Sequence, residues 1–198
     1  MKVWISALLL LLSFLPLSAL AATITLPQTG QTKCYDPSGN TFNEIPCAGT
    51  GQDGDKQMGA TWPNPRFTDN GNGTVTDNLT GLIWLKNANC FDTKVWADAL
   101  TAANTLASGA CNLSDGSQAG QWRLPNRKEL LSLIDRGRTQ PGLPAGHPFT
   151  GVQGGNYWSS NTDASFSDFA WYVTSGSGGG YSNYKFYDYY VWPVRGGQ

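Results

Sequence analysis

WRLPNRKELLSLIDRG, residues 122–137, is the stretch whose reading decides the fold. It opens with a short run ended by Pro125, and from there it carries a full set of helix signals. Asn126 suits the cap, because its side-chain oxygen can accept from the free backbone amides of the first turn. Glu129, three positions on, can reach back to the amide of the cap residue and complete a capping box. Leu130, Leu133 and Ile134 fall on one face at helical spacing, and Gly137 suits the stop. A second helix is predicted upstream over about 93–107, with Asp92 or Thr93 as cap and Trp96, Ala99, Leu100, Ala103 and Leu106 along one face. Both stripes are read as core.

Strand signals surround the helices. RFTDNGNGTVTDNLTGLIWLK, residues 66–86, sets Asp-Asn-Gly-Asn-Gly between Thr/Val-rich runs, which predicts a hairpin, and Thr80-Gly81 marks a second turn before Leu82-Ile83-Trp84-Leu85. The same letters raise calcium as an alternative. With Gly73 at the sharp-turn position of a helix–loop–helix calcium site, however, Thr68 falls where the first Asp belongs and Leu79 where the closing Glu belongs. No cofactor is therefore expected. Beyond Arg138 no helical period appears, and short aromatic strand candidates at 156–160, 170–174 and 184–194 alternate with Gly/Pro-rich loops. The fold class expected is α+β, loop-rich and stapled by disulfides.

Residues 1–21 read as a secretory signal: Lys2, the apolar run ISALLLLLSFLPL, then Ala19-Leu20-Ala21 before the cut. An exported chain is expected, in the periplasm, at the cell surface or outside the cell, with no membrane span after cleavage. Residues 22–61 are poor in large apolar residues and are read as an arm with its own disulfide loop; residues 62–198 are read as the folded domain. An even number of cysteines in such a chain points to disulfides. Proximity favours Cys34 with Cys47 and Cys90 with Cys111, although spacing alone leaves other pairings open. Zinc is disfavoured, because there is no CxxC pair and His147 is the sole histidine. The near-neutral charge gives no reason to expect nucleic acid.

Several separated motifs carry a family resemblance. FTDNGNGTVTDNLTGLIWLKNANC (67–90), CNLSDGSQAGQWRLPNRKELLSLID (111–135), YWSS (157–160), AWYV (170–173) and YVWPVRGGQ (190–198), in that order, resemble the Lcl C-terminal domain family of exported bacterial proteins and collagen-like adhesins. WRLPNRKEL also resembles a segment of formylglycine-generating-enzyme-like domains. The resemblance implies a C-type-lectin-like architecture: two helices, a small twisted antiparallel sheet, and a ligand face near the end of the chain. It further implies that side chains near the C-terminus are open to diversification by a retroelement that mutates adenines, since residues reachable from Asn codons fill 165–168, 181–184 and 186–190. Lys185 is not reachable that way and is read as part of the frame.

The functional reading centres on YSNYKFYDYY, residues 181–190. Tyrosine offers a large, stiff, amphipathic contact with few torsions to freeze, and Ser and Asn offer adaptable hydrogen bonding, as in evolved recognition surfaces. The candidate ligand-binding residues are Trp158, Ser165, Phe166, Asp168, Tyr181, Asn183, Tyr184, Tyr187, Asp188, Tyr189 and Tyr190. Tyr189 and Tyr190, being adjacent in a strand, are expected to face opposite sides, one of them solvent. Trp122, Arg123, Pro125, Trp192 and Arg195 are assigned to the frame, as is Trp158, which thus stands in both sets. The expected partner is a glycan or a protein surface. One alternative is a sulfated polysaccharide held by Arg123, Arg127, Lys128, Arg136 and Arg138. Another is a hydrolase using Asp163, Asp168 and Asp188, or His147. The enzyme reading is disfavoured, because His147 sits in Gly-His-Pro and no cysteine follows Cys111, whereas the formylglycine enzymes need a reactive cysteine late in the domain.

Overall fold

The computed structural model describes residues 26–39 and 43–196; the expected signal segment lies outside the described residues. The arm holds β1 (Cys34–Tyr35) paired with β2 (Glu44–Ile45) and the single-turn α1 (Asp53–Lys56), stapled by Cys34–Cys47. It lies against the body. Arg136 donates its backbone amide to Thr29 O (2.8 Å), and Trp62 Nε1 donates to Gln28 O (2.8 Å). At this seam Gly30 has φ +85°, and a Cβ there would collide with Asp135 and Trp62, so both conformation and space require glycine.

Two further sheets make the body. In the first, β3 (Phe67–Asp69), β4 (Thr74–Asp77) and β5 (Ile83–Leu85) form the two predicted turns, and β11 (Val194–Arg195) closes the order β11-β5-β4-β3. The Asp/Asn letters of the first turn serve to close it. Asp69 accepts from Gly71 N and pairs with Lys86 Nζ (2.6 Å), Asn70 reaches Thr74 and Thr76, and Asn72 accepts from Thr74. The second sheet has the order β6-β10-β7-β8-β9, from β6 (Thr93–Lys94), β7 (Asn156–Thr162), β8 (Phe169–Thr174), β9 (Gly180–Tyr184) and β10 (Tyr189–Tyr190). The antiparallel expectation needs correcting here, because β10 runs parallel to β7 at Tyr190 and Tyr157. The strand candidate at 184–194 is also corrected: it breaks into the end of β9, a turn, β10 and the approach to β11.

α2 (Trp96–Thr105) and α3 (Arg127–Ser132) are the two predicted helices, both shorter than expected. α2 begins at Trp96 because Thr93 and Lys94 pair with Tyr190 and Tyr189, and its first amide is satisfied by Lys185 O (3.0 Å) rather than by a capping side chain. α3 has the predicted capping box in full: Glu129 N donates to Asn126 Oδ1 (3.0 Å) and Asn126 N to Glu129 Oε2 (2.7 Å). It ends before Gly137, because the amides of Asp135 and Arg136 turn to Gly142 O and Thr29 O. Leu130, Leu133 and Ile134 are buried as read, and so are Ala99 and Ala103 of α2, with Leu106 just beyond it.

The core has two parts, one on each side of the five-stranded sheet. The larger joins the α3 stripe to the four-stranded sheet around Trp84, Trp122, Tyr157 and Trp192; the smaller joins α2 to Trp158, Ala170 and Val191. Trp192 sits at the centre, with edge contacts to Trp84 (5.5 Å) and Phe149 (4.9 Å) and Nε1 donating to Leu85 O. Cys90–Cys111 brackets α2, and every cysteine is paired, as proximity favoured. The molecule thus mixes α and β, with few helices, several sheets and two disulfides.

Candidate functional site

The β8–β9 hairpin sets the site by its register, Phe169 opposite Tyr184 and Trp171 opposite Ser182. Phe169, Trp171, Ser182 and Tyr184 therefore share the α3 side of the sheet, whereas Tyr172, Tyr181 and Asn183 share the α2 side. At the open end of this hairpin the rings form one continuous series. Phe166 touches Phe169 (5.3 Å), Phe169 touches Tyr184 (4.2 Å), Tyr184 stacks on Phe186 (5.0 Å, 17°), and Phe186 meets Tyr187 (5.0 Å). Within it Phe166 is 58% exposed, Tyr184 40%, Phe186 65% and Tyr187 45%. Isolated exposed rings are ordinary, whereas a connected set of this kind makes this end the candidate interaction surface.

Lys185 holds the surface in place. Its Nζ lies 4.3 Å over the Trp96 ring and donates to Ser167 O (2.7 Å), its backbone amide donates to Asp168 O (2.9 Å), and its carbonyl receives Trp96 N. One residue so ties the 165–168 loop, the turn after β9 and the start of α2, which matches the frame role read from the sequence.

Of the candidate ligand-binding residues, Ser165, Phe166, Asp168, Tyr184, Tyr187 and Asp188 are exposed around the open end of the hairpin, whereas Tyr181, also exposed, lies on the α2 side with its ring over Gly179 of the β8–β9 turn. Four candidates are corrected. Trp158 is fully buried, with Nε1 donating to Lys94 O (2.9 Å), so it belongs to the frame alone. Tyr189 is half-buried against Trp158 (4.4 Å) and Tyr172 (4.7 Å), and its hydroxyl accepts from Asn183 Nδ2 (2.8 Å), which keeps Asn183 half-buried too. Tyr190 packs on Tyr157 (5.4 Å) on the other side of the sheet. The two tyrosines do face opposite ways, but neither faces solvent outright, because the sheet is covered on both sides. Two residues outside the candidate set belong to the surface: Phe186, its most exposed ring, and Trp171, half-exposed under Arg127 (4.0 Å). Phe186 was legible as an exposed turn residue of the Tyr-rich run; nothing local distinguished Trp171 from a core residue.

Beside the rings lies a cleft of about 500 Å³ lined by Arg127, Lys128, Asn161, Asp163, Ser165 and Trp171, among others. The hydrogen bond from Ser182 and then the amide of Ser165 hold the Asp163 carboxyl below the usual carboxylate range. The five cations of the basic set do not form one free stripe. Arg123 clamps Glu129 through two 2.7 Å bonds, Arg127 covers Trp171, Arg136 donates to Gly178 O, and Arg138 approaches Asp135 (3.3 Å). His147 lies 5.8 Å from Phe149, and burial pushes its pKa down. Among the described residues no group of three or more His, Cys, Asp or Glu is placed to hold a metal ion.

No curated protein matches the chain. The Lcl C-terminal domain profile matches residues 73–195, from the turn between β3 and β4 to the end of β11, a stretch that contains the whole aromatic surface and most of its frame. Over more than half its length, then, the chain belongs to the Lcl C-terminal domain family.

Proposed function

We propose that this protein is an exported binding module of C-type-lectin-like architecture, which recognises a glycan or a protein surface through the aromatic end of the β8–β9 hairpin and the adjoining cleft. The observation that carries the reading is the connected series of exposed rings from Phe166 to Tyr187, seated on a frame pinned by Lys185. Such anchors supply binding energy at low entropic cost and contribute little to the core. Export is supported by the signal-like N-terminus and the two disulfides. Among the described residues no helix is long and apolar enough to cross a membrane. The pairing of every cysteine leaves no thiol for the reactive-cysteine chemistry of the formylglycine enzymes.

Diversification by a retroelement is part of the same proposal. Of the positions reachable from Asn codons, Ser165, Phe166, Ser167, Asp168, Tyr181, Tyr184, Phe186, Tyr187 and Asp188 are exposed, so replacing them would spare the frame, whereas Ser182, Asn183, Tyr189 and Tyr190 are half-buried, and replacing the two tyrosines would reach into the packing on Trp158 and Tyr157. A template repeat near the gene, matching the codons of 156–198 except at adenines, is the expected observation.

The direct test is a glycan and protein-surface array probed with the protein and with Tyr184→Ser/Phe186→Ser/Tyr187→Ser. Loss of binding with the melting temperature held to within about 2 °C is expected, since surface changes away from packing cost little. Full retention of binding would place the ligand face elsewhere, and failure to fold would make these rings core.

A further inference from the structure

The fold uses ring–cation contacts repeatedly, each on a buried or half-buried ring. Arg66 lies over Trp62 and Phe67 (4.9 Å each), Arg127 over Trp171 (4.0 Å), Lys185 over Trp96 (4.3 Å) and Arg195 over Trp122 (5.1 Å). Among the described residues none of the exposed rings, Phe166, Tyr181, Tyr184, Phe186 and Tyr187, has such a cation. Two basic side chains of the surrounding frame are turned away from them, Lys185 onto Trp96 and Ser167 O and Arg127 onto Trp171, while the exposed Lys128 lines the adjoining cleft rather than the ring series. Lys94, opposite Tyr189 in register, is half-buried at the sheet edge. The exposed charges within the ring series itself are carboxylates. Asp168 abuts Lys185 through the backbone, and Asp188 stands between Tyr187 and Tyr189. Electron-rich ring faces beside carboxylates, with the local amine folded away, form a surface that lacks its complementary charge.

We propose that this surface takes an arginine-bearing segment of a partner protein, with the guanidinium laid on the Tyr184–Phe186 stack and Asp168 and Asp188 as its counter-charges. The inference rests on the binding reading above and names the partner's chemistry. Arginine is favoured over lysine because the planar guanidinium both stacks on rings and forks to carboxylates. A protein is favoured over a sugar because the two most exposed rings, Phe186 and Phe166, carry no polar atom to meet hydroxyls, whereas apolar aromatic anchors beside Arg are common at the centre of protein interfaces.

The test uses fluorescent peptides of equal length and spacing carrying Arg, Lys, Gln or Glu at alternate positions, titrated into the full chain. The Arg peptide should bind about ten-fold more tightly than its Gln counterpart, the scale of a partly desolvated ring–cation contact. Phe186→Leu, which keeps apolar bulk and removes the ring, should abolish that preference. Asp168→Asn/Asp188→Asn should reduce it several-fold and flatten its dependence on salt. Equal binding of the Arg and Gln peptides, or an unchanged preference in Phe186→Leu, would overturn the proposal. Array ligands that need Tyr184, Phe186 and Tyr187 while the Arg peptide does not bind would overturn it and leave the ligand face standing.

Discussion

At the scale of single residues, burial decides what each aromatic does. Trp122 and Tyr187 differ little in a hydropathy count, yet Trp122 is fully enclosed, with Nε1 donating to Ser117 Oγ (2.9 Å) and Arg195 over its ring, whereas Tyr187 stands out in solvent. Trp122→Ala should therefore cost about 3–5 kcal/mol in urea unfolding. Tyr189→Ser, with its packing on Trp158 and its bond from Asn183, should destabilise measurably where Tyr187→Ser does not. His147 gives a prediction in pH. Its folded pKa lies below the ordinary 6.5, so the unfolded chain binds the proton more readily. Its contribution to stability is complete above that value and falls as pH drops below it, levelling off once the folded pKa is passed. His147→Gln should remove this component, seen as a smaller loss of unfolding free energy than in the parent between about pH 7.5 and about pH 5.

At the scale of elements, the helix after Pro125 shows how far local signals carry. Asn126 and Glu129 close the capping box as the spacing predicts, and Glu129 also holds Arg123. Asn126→Ala should cost about 1 kcal/mol, read as a shift of the denaturation midpoint without a change in slope. Where α3 stops was not legible, because Asp135 and Arg136 choose partners at Gly142 and Thr29, which no local rule selects. The start of α2 was hidden for the same reason. Thr93 and Lys94 look like a cap and first turn until β10 arrives from the far end of the chain to pair with them. That strand also inserts beside β7 in parallel, and so covers Tyr189 and Tyr190 on opposite sides of the sheet.

At the scale of the whole molecule, two disulfides divide the labour. Cys90–Cys111 encloses α2 and packs against the larger core, whereas Cys34–Cys47 staples only the arm. Cys90→Ala/Cys111→Ala should lower stability by about 2–5 kcal/mol, and Cys34→Ala/Cys47→Ala should leave the main thermal transition nearly in place while exposing the arm to protease. Proximity in the chain favoured this pairing while spacing left others open, and the fold brings each cysteine to its nearest neighbour in the chain. The sequence by itself determined the features whose physics acts within a few residues: the capped helix, the Asn-Gly turns and the Tyr-rich composition of 181–190. Only the tertiary structure decided which of those tyrosines stay exposed. Exposure in a sheet depends on what covers each side, and here α2 and α3, folded from residues roughly fifty to ninety positions away, cover both.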